Sequence, residues 1–189
     1  MPTRSRKREE VRERILKSAS RLFNRHGFSS VSIDDVMGNA GLTRGSFYKY
    51  FSSKTDLYVQ SVVRAVDQKR EAADARGRQF GAHQIVRDYL SAQHYEDVET
   101  GCPMIALPAD ISKTDRSVRE AFESAFRLMV DIFQQDLPRG SKPTRDHALA
   151  IAAMCIGGMV LARSVEDRAL ADELRQSTLN VALWLGNWT

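Results

Sequence analysis

The run of residues from Thr43 to Lys49 carries the polar, aromatic and basic side chains best suited to chemistry in this chain. An arginine can donate two parallel hydrogen bonds to the edge of a guanine, and hydroxyl groups can bond phosphate oxygens or base edges. Gly45, inside the run, lets a backbone lie close to a ligand because it has no side chain. The composition is that of a nucleic-acid-binding surface. The polar members are Thr43, Arg44, Ser46, Tyr48 and Lys49.

Charge is unevenly divided along the 189 residues. The first 50 residues contain eleven basic and five acidic side chains, a net charge of +6, whereas the whole chain carries +4. The remaining 139 residues therefore sum to −2. A basic N-terminal part on a mildly acidic body predicts polyanion binding combined with a separate second task. A solvated basic helix face would give the same balance, so charge alone does not decide between them.

Helical spacing of apolar residues predicts the elements that position this run. Lys7–His26 reads as an amphipathic first helix that ends at Gly27, and Ser32 has the pattern of a capping residue for a short second helix. Gly41 ends that helix, and Thr43 is expected to cap a third one. Two short helices joined by a tight glycine turn behind a longer helix form a helix-turn-helix, whose second helix enters the DNA major groove. A generic helical bundle could also contain short helices and a glycine, but it would not need the outward-facing polar side chains between Thr43 and Lys49.

The run from Ser32 to Leu57 resembles the signature of the tetracycline-repressor (TetR) family. The matching features are an Ala-Gly-Leu-Thr turn at 40–43, Phe-Tyr at 47–48, Tyr-Phe at 50–51 and a lysine shortly after. With the apolar stripe of the first helix, the resemblance covers roughly residues 7–57. There are two departures: Lys49, at a position that varies in the family, and Gly38, which weakens the second helix by roughly 1 kcal/mol.

The resemblance implies a division of roles among the DNA-binding residues, with residues 1–53 as the DNA-binding domain. Thr43 would begin the recognition helix, and Arg44, Gly45, Ser46, Tyr48 and Lys49 would face the major groove. Ser32, Tyr50 and Lys54 would hold phosphates. The basic residues at the N-terminus would form a flexible arm on the DNA, or alternatively a tail that only aids solubility. They are Arg4, Arg6, Lys7 and Arg8.

Residues 54–189 also read as helical, beginning with a fourth helix capped by Ser53. No alternation of polar and apolar residues predicts a strand, so the expected fold is all-α with about nine helices. The later predicted helices are Ala82–His94, Met104–Ile111, Asp115–Leu137, Thr144–Ser164 and Ala169–Leu185.

The segment Ala148–Ala162 is apolar on all sides and must be covered on all sides. A second copy of the same helix would cover it, and the resemblance implies a two-fold, four-helix dimer interface built from the last two helices. A monomer with a fully buried central helix is the alternative. The predicted interface residues are Ala150, Met154, Gly157, Gly158, Leu161, Leu179, Leu183 and Trp184.

Aromatic and methionine residues recur between Tyr58 and Met154, and such side chains could form a solid core or line a ligand cavity. The resemblance implies an effector cavity here, and the apolar lining predicts a hydrophobic or aromatic small molecule with His94 or Arg127 as a polar anchor. Cys102 precedes a predicted helix and is either a sensor of oxidants or a small packed side chain, whereas Cys155 reads as structural. The predicted pocket residues are Tyr58, Tyr89, His94, Cys102, Met104, Phe122, Phe126, Met129 and Met154.

Enzymatic function finds little support in the sequence. Four histidines and two cysteines show no metal-ligand spacing, and nucleophile-elbow, P-loop and dinucleotide motifs are absent, so we expect no catalytic residue, metal or cofactor. The polar N-terminus, the two cysteines and an apolar run of only about 15 residues predict a cytoplasmic protein without a membrane partner.

The sequence therefore predicts a homodimeric, ligand-responsive transcriptional regulator that binds a palindromic double-stranded DNA operator. Repression is the expected direction of control. By resemblance, an effector would shift the fourth helix, change the separation of the two recognition helices and release the operator. Two alternatives stay open. One is a ligand-binding protein with non-specific nucleic-acid contact, and the other is a small-molecule-modifying enzyme with an accessory helix-turn-helix.

Overall fold

The computed structural model describes residues 4–75, 81–99, 103–106, 111–112, 114, 116–138 and 144–188. Within these ranges the chain forms nine α-helices and one 3-10 helix and has no strand, which confirms the all-α prediction. The α-helices are α1 (Arg4–His26), α2 (Ile33–Asn39), α3 (Lys54–Ala75), α4 (Ala82–Tyr89), α5 (Ala92–Glu96), α6 (Pro103–Ala106), α7 (Arg116–Asp136), α8 (Thr144–Ser164) and α9 (Arg168–Gly186). The 3-10 helix, Arg44–Lys49, lies between α2 and α3.

The third predicted helix is a 3-10 helix rather than an α-helix. Its first hydrogen bond joins the Ser46 N–H to the Thr43 carbonyl at 3.0 Å, three residues apart. Thr43 occupies the N-cap position, but its side chain makes no capping hydrogen bond, so the expected cap is wrong in that detail. The Ser53 cap is confirmed, since the Asp56 N–H donates to Ser53 Oγ at 3.0 Å.

The predicted helix Ala82–His94 is two helices, because the chain turns at Leu90 and Ser91. The Ser91 hydroxyl accepts a hydrogen bond from the His94 N–H at 3.1 Å and so begins α5. Of the predicted helix Met104–Ile111, the structure describes α6, and residues 107–110 lie outside the described ranges.

The chain divides into two compact units, Met1–Asp67 with Val98–Glu123 and Gln68–Asp97 with Ser124–Thr189. In the first unit α1 packs against α2 and α6, and α2 packs against the 3-10 helix. The aromatic rings of Phe23, Phe28 and Tyr58 meet at centroid distances of 5.5–5.9 Å. The core of this unit is apolar and is contributed by every helix that surrounds the turn. Its largest fully buried members include Ile15, Phe23, Met37, Phe47, Phe51, Leu57 and Tyr58.

Both ends of α2 are fixed by local hydrogen bonds. At its start, Ser32 and Asp35 form a reciprocal capping box, as the sequence predicted. At its end, the Leu42 N–H donates to the Met37 carbonyl at 2.8 Å and the Gly41 N–H donates to the Gly38 carbonyl at 3.0 Å. This pair of bonds is a Schellman motif, with Gly41 at a φ of +66°. The tight turn of the predicted helix-turn-helix is therefore defined by backbone bonds and one left-handed residue.

Two glycines of this region should respond oppositely to alanine. Gly41→Ala is expected to lower the free energy of unfolding by about 1–2 kcal/mol, because an L-residue is strained at positive φ. Gly38→Ala should raise it by up to about 1 kcal/mol, since Gly38 is helical and an added Cβ would meet no atom within 4 Å. Urea unfolding of both variants measures the difference, and equal shifts of the same sign would contradict this account of the turn.

In the second unit α8 and α9 pack along each other, and α4 packs on both. Gly158 faces α9, because a Cβ built there would lie 2.8 Å from Thr178 Cγ2. Cys155 is a buried thiol on the same helix, which agrees with its structural interpretation. The close approach of the two helices therefore depends on the absence of a side chain at Gly158.

Two arginines from these helices hold the backbone around α5. Arg163 Nη2 donates to the His94 carbonyl and, at 3.2 Å, to the Asp97 carbonyl. Arg175, a buried residue of α9, donates from Nη1 to the Leu90 carbonyl at 2.9 Å. The main chain on either side of α5 is thus tied to α8 and α9 by charged donors.

By length and composition alone, α8 could cross a membrane, with a mean hydropathy of 1.5 over its most apolar 18 residues. This differs from the sequence-based expectation of an apolar run of only about 15 residues, too short to span a membrane. Core helices of soluble proteins can have the same length and hydropathy. Since Ala148, Ile151, Ala152, Cys155 and Met159 are buried within the chain, packing accounts for much of the apolar character of α8.

Candidate nucleic-acid interface

The 3-10 helix has one buried and one exposed aromatic residue side by side. Phe47 is completely buried, and its ring lies 5.8 Å from that of Phe51. Tyr48 is 63% exposed and packs edge-on against Phe47 at 5.2 Å. Arg44, Gly45 and Lys49 are exposed and Ser46 is half-buried, and these are the residues predicted to enter the groove. The helix therefore presents a polar row on an apolar anchor.

Arginines of α1 hold the carbonyl ends of the two short helices. Arg14 Nη2 donates to the Ala40 carbonyl at the end of α2. Arg8 Nη2 donates to the Lys49 carbonyl at the end of the 3-10 helix, at 3.1 Å. Cations are favourable at helix C-termini, where carbonyl groups carry partial negative charge. These contacts fix both short helices on α1.

The predicted flexible arm is wrong from Arg4 onward, because α1 begins there. Arg6 lies 3.5 Å from Glu10 of the same helix, and Arg8 bonds the Lys49 carbonyl. Helical spacing brings these charges onto α1 itself. An open cleft of about 820 Å³ lies beside the start of α1, and Lys7, Arg8, Lys49 and Tyr50 are among the residues that line it.

Arg44 is paired with an acid on the neighbouring helix. Arg44 Nη1 lies 2.5 Å from Asp34 Oδ2, and both side chains are more than half exposed. The hydrogen bond and charge of Asp34 raise the pKa of the Arg44 guanidinium above its ordinary value. The residue predicted to read a base thus already has a carboxylate partner in the free protein.

Two of the predicted phosphate ligands are also engaged within the chain. The Ser32 hydroxyl donates to Asp35 Oδ2 at 2.6 Å and accepts from the Asp35 N–H at 3.1 Å. These bonds from Ser32 lower the pKa of the Asp35 carboxyl. Lys54 Nζ lies 4.3 Å from the centroid of the Phe28 ring, a cation–π contact. Both residues support the local fold, and a phosphate role for either would be additional.

The predicted effector residues fall into both compact units. Tyr58, Met104 and Phe122 belong to the first, and the first two of these are buried. The other described members, Tyr89, His94, Phe126, Met129 and Met154, belong to the second. Cys102 lies outside the described residues. His94 Nδ1 lies 2.7 Å from the Tyr89 carbonyl, and the two rings meet edge-on at 5.0 Å. Arg127 is exposed.

The predicted dimer residues divide by exposure. Ala150, Leu161 and Trp184 are exposed, with Leu161 at 56% and Trp184 at 72%, and Met154, Gly157 and Leu179 are half-buried. Gly158 and Leu183 are instead covered by their own chain, so we correct the interface prediction for these two positions.

Two groups of functional residues were missed by sequence reasoning. Arg14 and Arg8 bond carbonyls 26 and 41 residues away, and no spacing rule connects such positions. Asp34 stands in the first turn of α2, but the capping carboxylate is Asp35 and Asp34 contacts Arg44. Ten residues separate that pair, so the contact follows from the tight turn between them.

An exposed polar 3-10 helix behind a Schellman turn, propped on a longer helix, defines a helix-turn-helix transcriptional regulator. The family described as "Bacterial regulatory proteins, tetR family" matches residues 15–60. Residues 15–60 are therefore those of a TetR-family DNA-binding domain, and relatives of the chain are named as HTH-type transcriptional regulators.

Two relatives and one solved structure match over most of the chain. An uncharacterized HTH-type transcriptional regulator of Mycobacterium tuberculosis is 27% identical over 91% of this chain and 94% of its own length. The HTH-type transcriptional regulator LmrA of Bacillus subtilis is 25% identical, over 84% of this chain and 89% of its own. The crystal structure of Escherichia coli NemR in its reduced form shares the fold, with a TM-score of 0.69 at 19% identity over 92% of this chain and 95% of that one.

Proposed function

We propose that this protein is a homodimeric repressor that reads a palindromic operator through the 3-10 helix and releases it when a small apolar effector binds. The observation that carries the DNA-reading part is the exposed row of Arg44, Tyr48 and Lys49 above the buried Phe47. Arg44 would bond a guanine edge, and Tyr48 and Ser46 would bond base edges or phosphates. A relative from Escherichia coli is named a transcriptional repressor, which agrees with the direction of control that we propose.

Uncovered stripes on α8 and α9 support the dimer. On α8, Ala150, Met154, Gly157, Leu161 and Ser164 follow one another at intervals of four and three residues, and each is exposed or half-buried. On α9 the same spacing connects Leu170, Leu174, Ser177, Val181 and Trp184. Two adjacent helices with such seams suit a two-fold four-helix interface. Two copies would place their reading helices on successive major grooves, about 34–36 Å apart.

The effector part is supported by the apolar residues of the second unit. Tyr89, His94 and Met129 are buried, and Phe126 and Met154 are half-buried. Such side chains favour a hydrophobic or aromatic ligand, with His94 as a candidate polar contact. A panel of aromatic and aliphatic compounds, tested for release of a labelled operator duplex, examines this proposal. Tightened binding on ligand addition would reverse the proposed direction of control.

Arg44 should carry sequence preference, whereas Lys54 should act on every duplex alike. We expect Arg44→Ala to weaken binding to a selected duplex by about 1–3 kcal/mol while changing binding to unrelated DNA far less. Lys54→Ala should weaken both duplexes by similar factors. Fluorescence anisotropy against the DNA flanking the gene, and against scrambled duplex, measures both variants.

The outcome also separates the alternative functions. Sequence-selective binding by the unaltered protein supports the regulator. Binding that depends on salt but not on sequence would instead support a ligand-binding protein with non-specific nucleic-acid contact. Because Lys54 lies on the Phe28 ring, the melting temperature of Lys54→Ala must be compared before its affinity is interpreted.

A further inference from the structure

The capping box of α2 uses only one of the two acids in its first turn. Asp35 closes the capping box with Ser32, accepting its N–H at 2.8 Å and its hydroxyl at 2.6 Å. Asp34 instead points its carboxylate at Arg44, ten residues further along the chain. An acid beside a DNA-binding surface is unfavourable for affinity, because it repels the phosphate backbone. Its position therefore suggests a function in selectivity.

The ion pair with Asp34 occupies one nitrogen of the Arg44 guanidinium, which also interacts with the neighbouring Tyr48 side chain. The contact uses Arg44 Nη1, and a guanidinium has five N–H donors in a planar fork. The Nε and Nη2 donors lie along another edge, which matches the two acceptors, O6 and N7, of guanine in the major groove. An arginine held through one nitrogen loses less side-chain freedom when the others bind a base.

The pair is also exposed enough to respond to DNA. The side chains of Arg44 and Asp34 are 60% and 56% exposed, and such surface ion pairs contribute only about 0–1 kcal/mol. Without Asp34, the guanidinium would be able to reach phosphate oxygens on any sequence. With Asp34 present, moving Arg44 to a phosphate would break its hydrogen bond with Asp34 and would leave the Asp34 carboxylate close to the phosphates.

We propose that Asp34 is a positioning residue that holds Arg44 for base reading and restrains it from the phosphate backbone. This inference rests on the proposed function, in which Arg44 contacts a base edge. Asp34 then acts on the ratio of specific to non-specific affinity more than on either affinity alone. It lies on α2, outside the polar row that faces the groove, so it sets specificity without touching DNA.

The test uses the full chain and a duplex that the unaltered protein selects from a randomised pool, with a scrambled duplex of the same length. Asp34→Asn should lower the ratio of specific to non-specific affinity roughly five- to tenfold, because an unrestrained Arg44 loses part of its base discrimination. Binding to the scrambled duplex should tighten, and the slope of log affinity against log salt should steepen by about one, since Arg44 gains a phosphate contact.

Glu10→Gln provides the matched control, because it also removes one exposed acid, here paired with Arg6 on α1. It should change both duplex affinities by the same factor and leave their ratio unchanged. In an Arg44→Ala background, Asp34→Asn should no longer change the ratio, because its effect passes through Arg44. Asp34→Ser repeats the test if Asp34→Asn lowers the melting temperature.

Three results would overturn the proposal: an Asp34→Asn ratio equal to that of Glu10→Gln, an unchanged salt slope, or the same loss of ratio with Arg44→Ala present. Failure of the unaltered protein to select any duplex is a different result. It would refute the proposed function itself, whereas normal selection with an unaffected Asp34→Asn variant refutes only the role of Asp34.

Discussion

Replacing Phe47 by alanine is expected to lower the free energy of unfolding by about 3–5 kcal/mol and to abolish operator binding. The Phe47 side chain is completely buried and packs against the rings of Tyr48 and Phe51. Its removal loses the transfer free energy of a full aromatic side chain and leaves a cavity beneath a helix of only six residues. Chemical denaturation measures the stability loss, and anisotropy with a selected duplex measures binding.

Tyr48→Ala is the matched control, one residue along the same helix. Since Tyr48 is 63% exposed, its truncation should change stability by no more than about 0.5 kcal/mol, yet still weaken operator binding. The pair separates the anchor of the helix from its reading surface. Similar stability losses in both variants would contradict the assignment of a buried and an exposed face.

Trp184→Arg is expected to convert the proposed dimer into monomers. Trp184 is 72% exposed on α9, in line with the exposed Val181, and a large aromatic residue at the centre of an interface commonly contributes 2 kcal/mol or more. Dimer dissociation should therefore rise by a factor of roughly 30 or more. Operator affinity should fall as well, because the two half-sites are no longer bound by one linked assembly. Sedimentation equilibrium measures the first effect.

Gly157 and Gly158 on α8 test whether a loss of the dimer comes from the interface or from destabilised folding of the single chain. A Cβ at Gly157 would meet no atom within 4 Å, so Gly157→Leu should leave the chain folded and still weaken the dimer. Gly158→Leu would collide with Thr178 of the same chain and should destabilise folding by about 1–3 kcal/mol. A dimer that survives both Trp184→Arg and Gly157→Leu would place the interface on another surface.

Sequence reasoning succeeded where interacting groups lie close along the chain. The Ser32–Asp35 box joins residues three positions apart and the turn at Gly41 is closed by a bond between residues five positions apart, so residue types alone indicate them. The break between α4 and α5 was missed, because neither glycine nor proline marks Leu90 and Ser91. Its signal is the capping serine, which is also common in helices that continue.

The candidate site was predictable in its residue types but not in its supports. The polar side chains of the six-residue helix Arg44–Lys49 predict the reading surface, whereas the bonds from Arg8 and Arg14 to distant carbonyls depend on how α1 packs. The effector residues illustrate a different limit. Buried aromatic and methionine side chains have the same composition in a solid core and around a ligand, so sequence cannot separate the two.

The anchoring of α5 has a consequence for how this protein can diversify. Arg163 and Arg175 donate hydrogen bonds to the main-chain carbonyl oxygens of His94, Asp97 and Leu90. Every amino acid supplies such an oxygen. Apart from Ser91, whose hydroxyl caps α5, and the buried His94, side chains in this segment can therefore be exchanged, by natural drift or in a library, while these backbone bonds are retained. Altered preference for the proposed effector is most readily evolved or engineered at such exchangeable positions, because the backbone there is held by the two arginines.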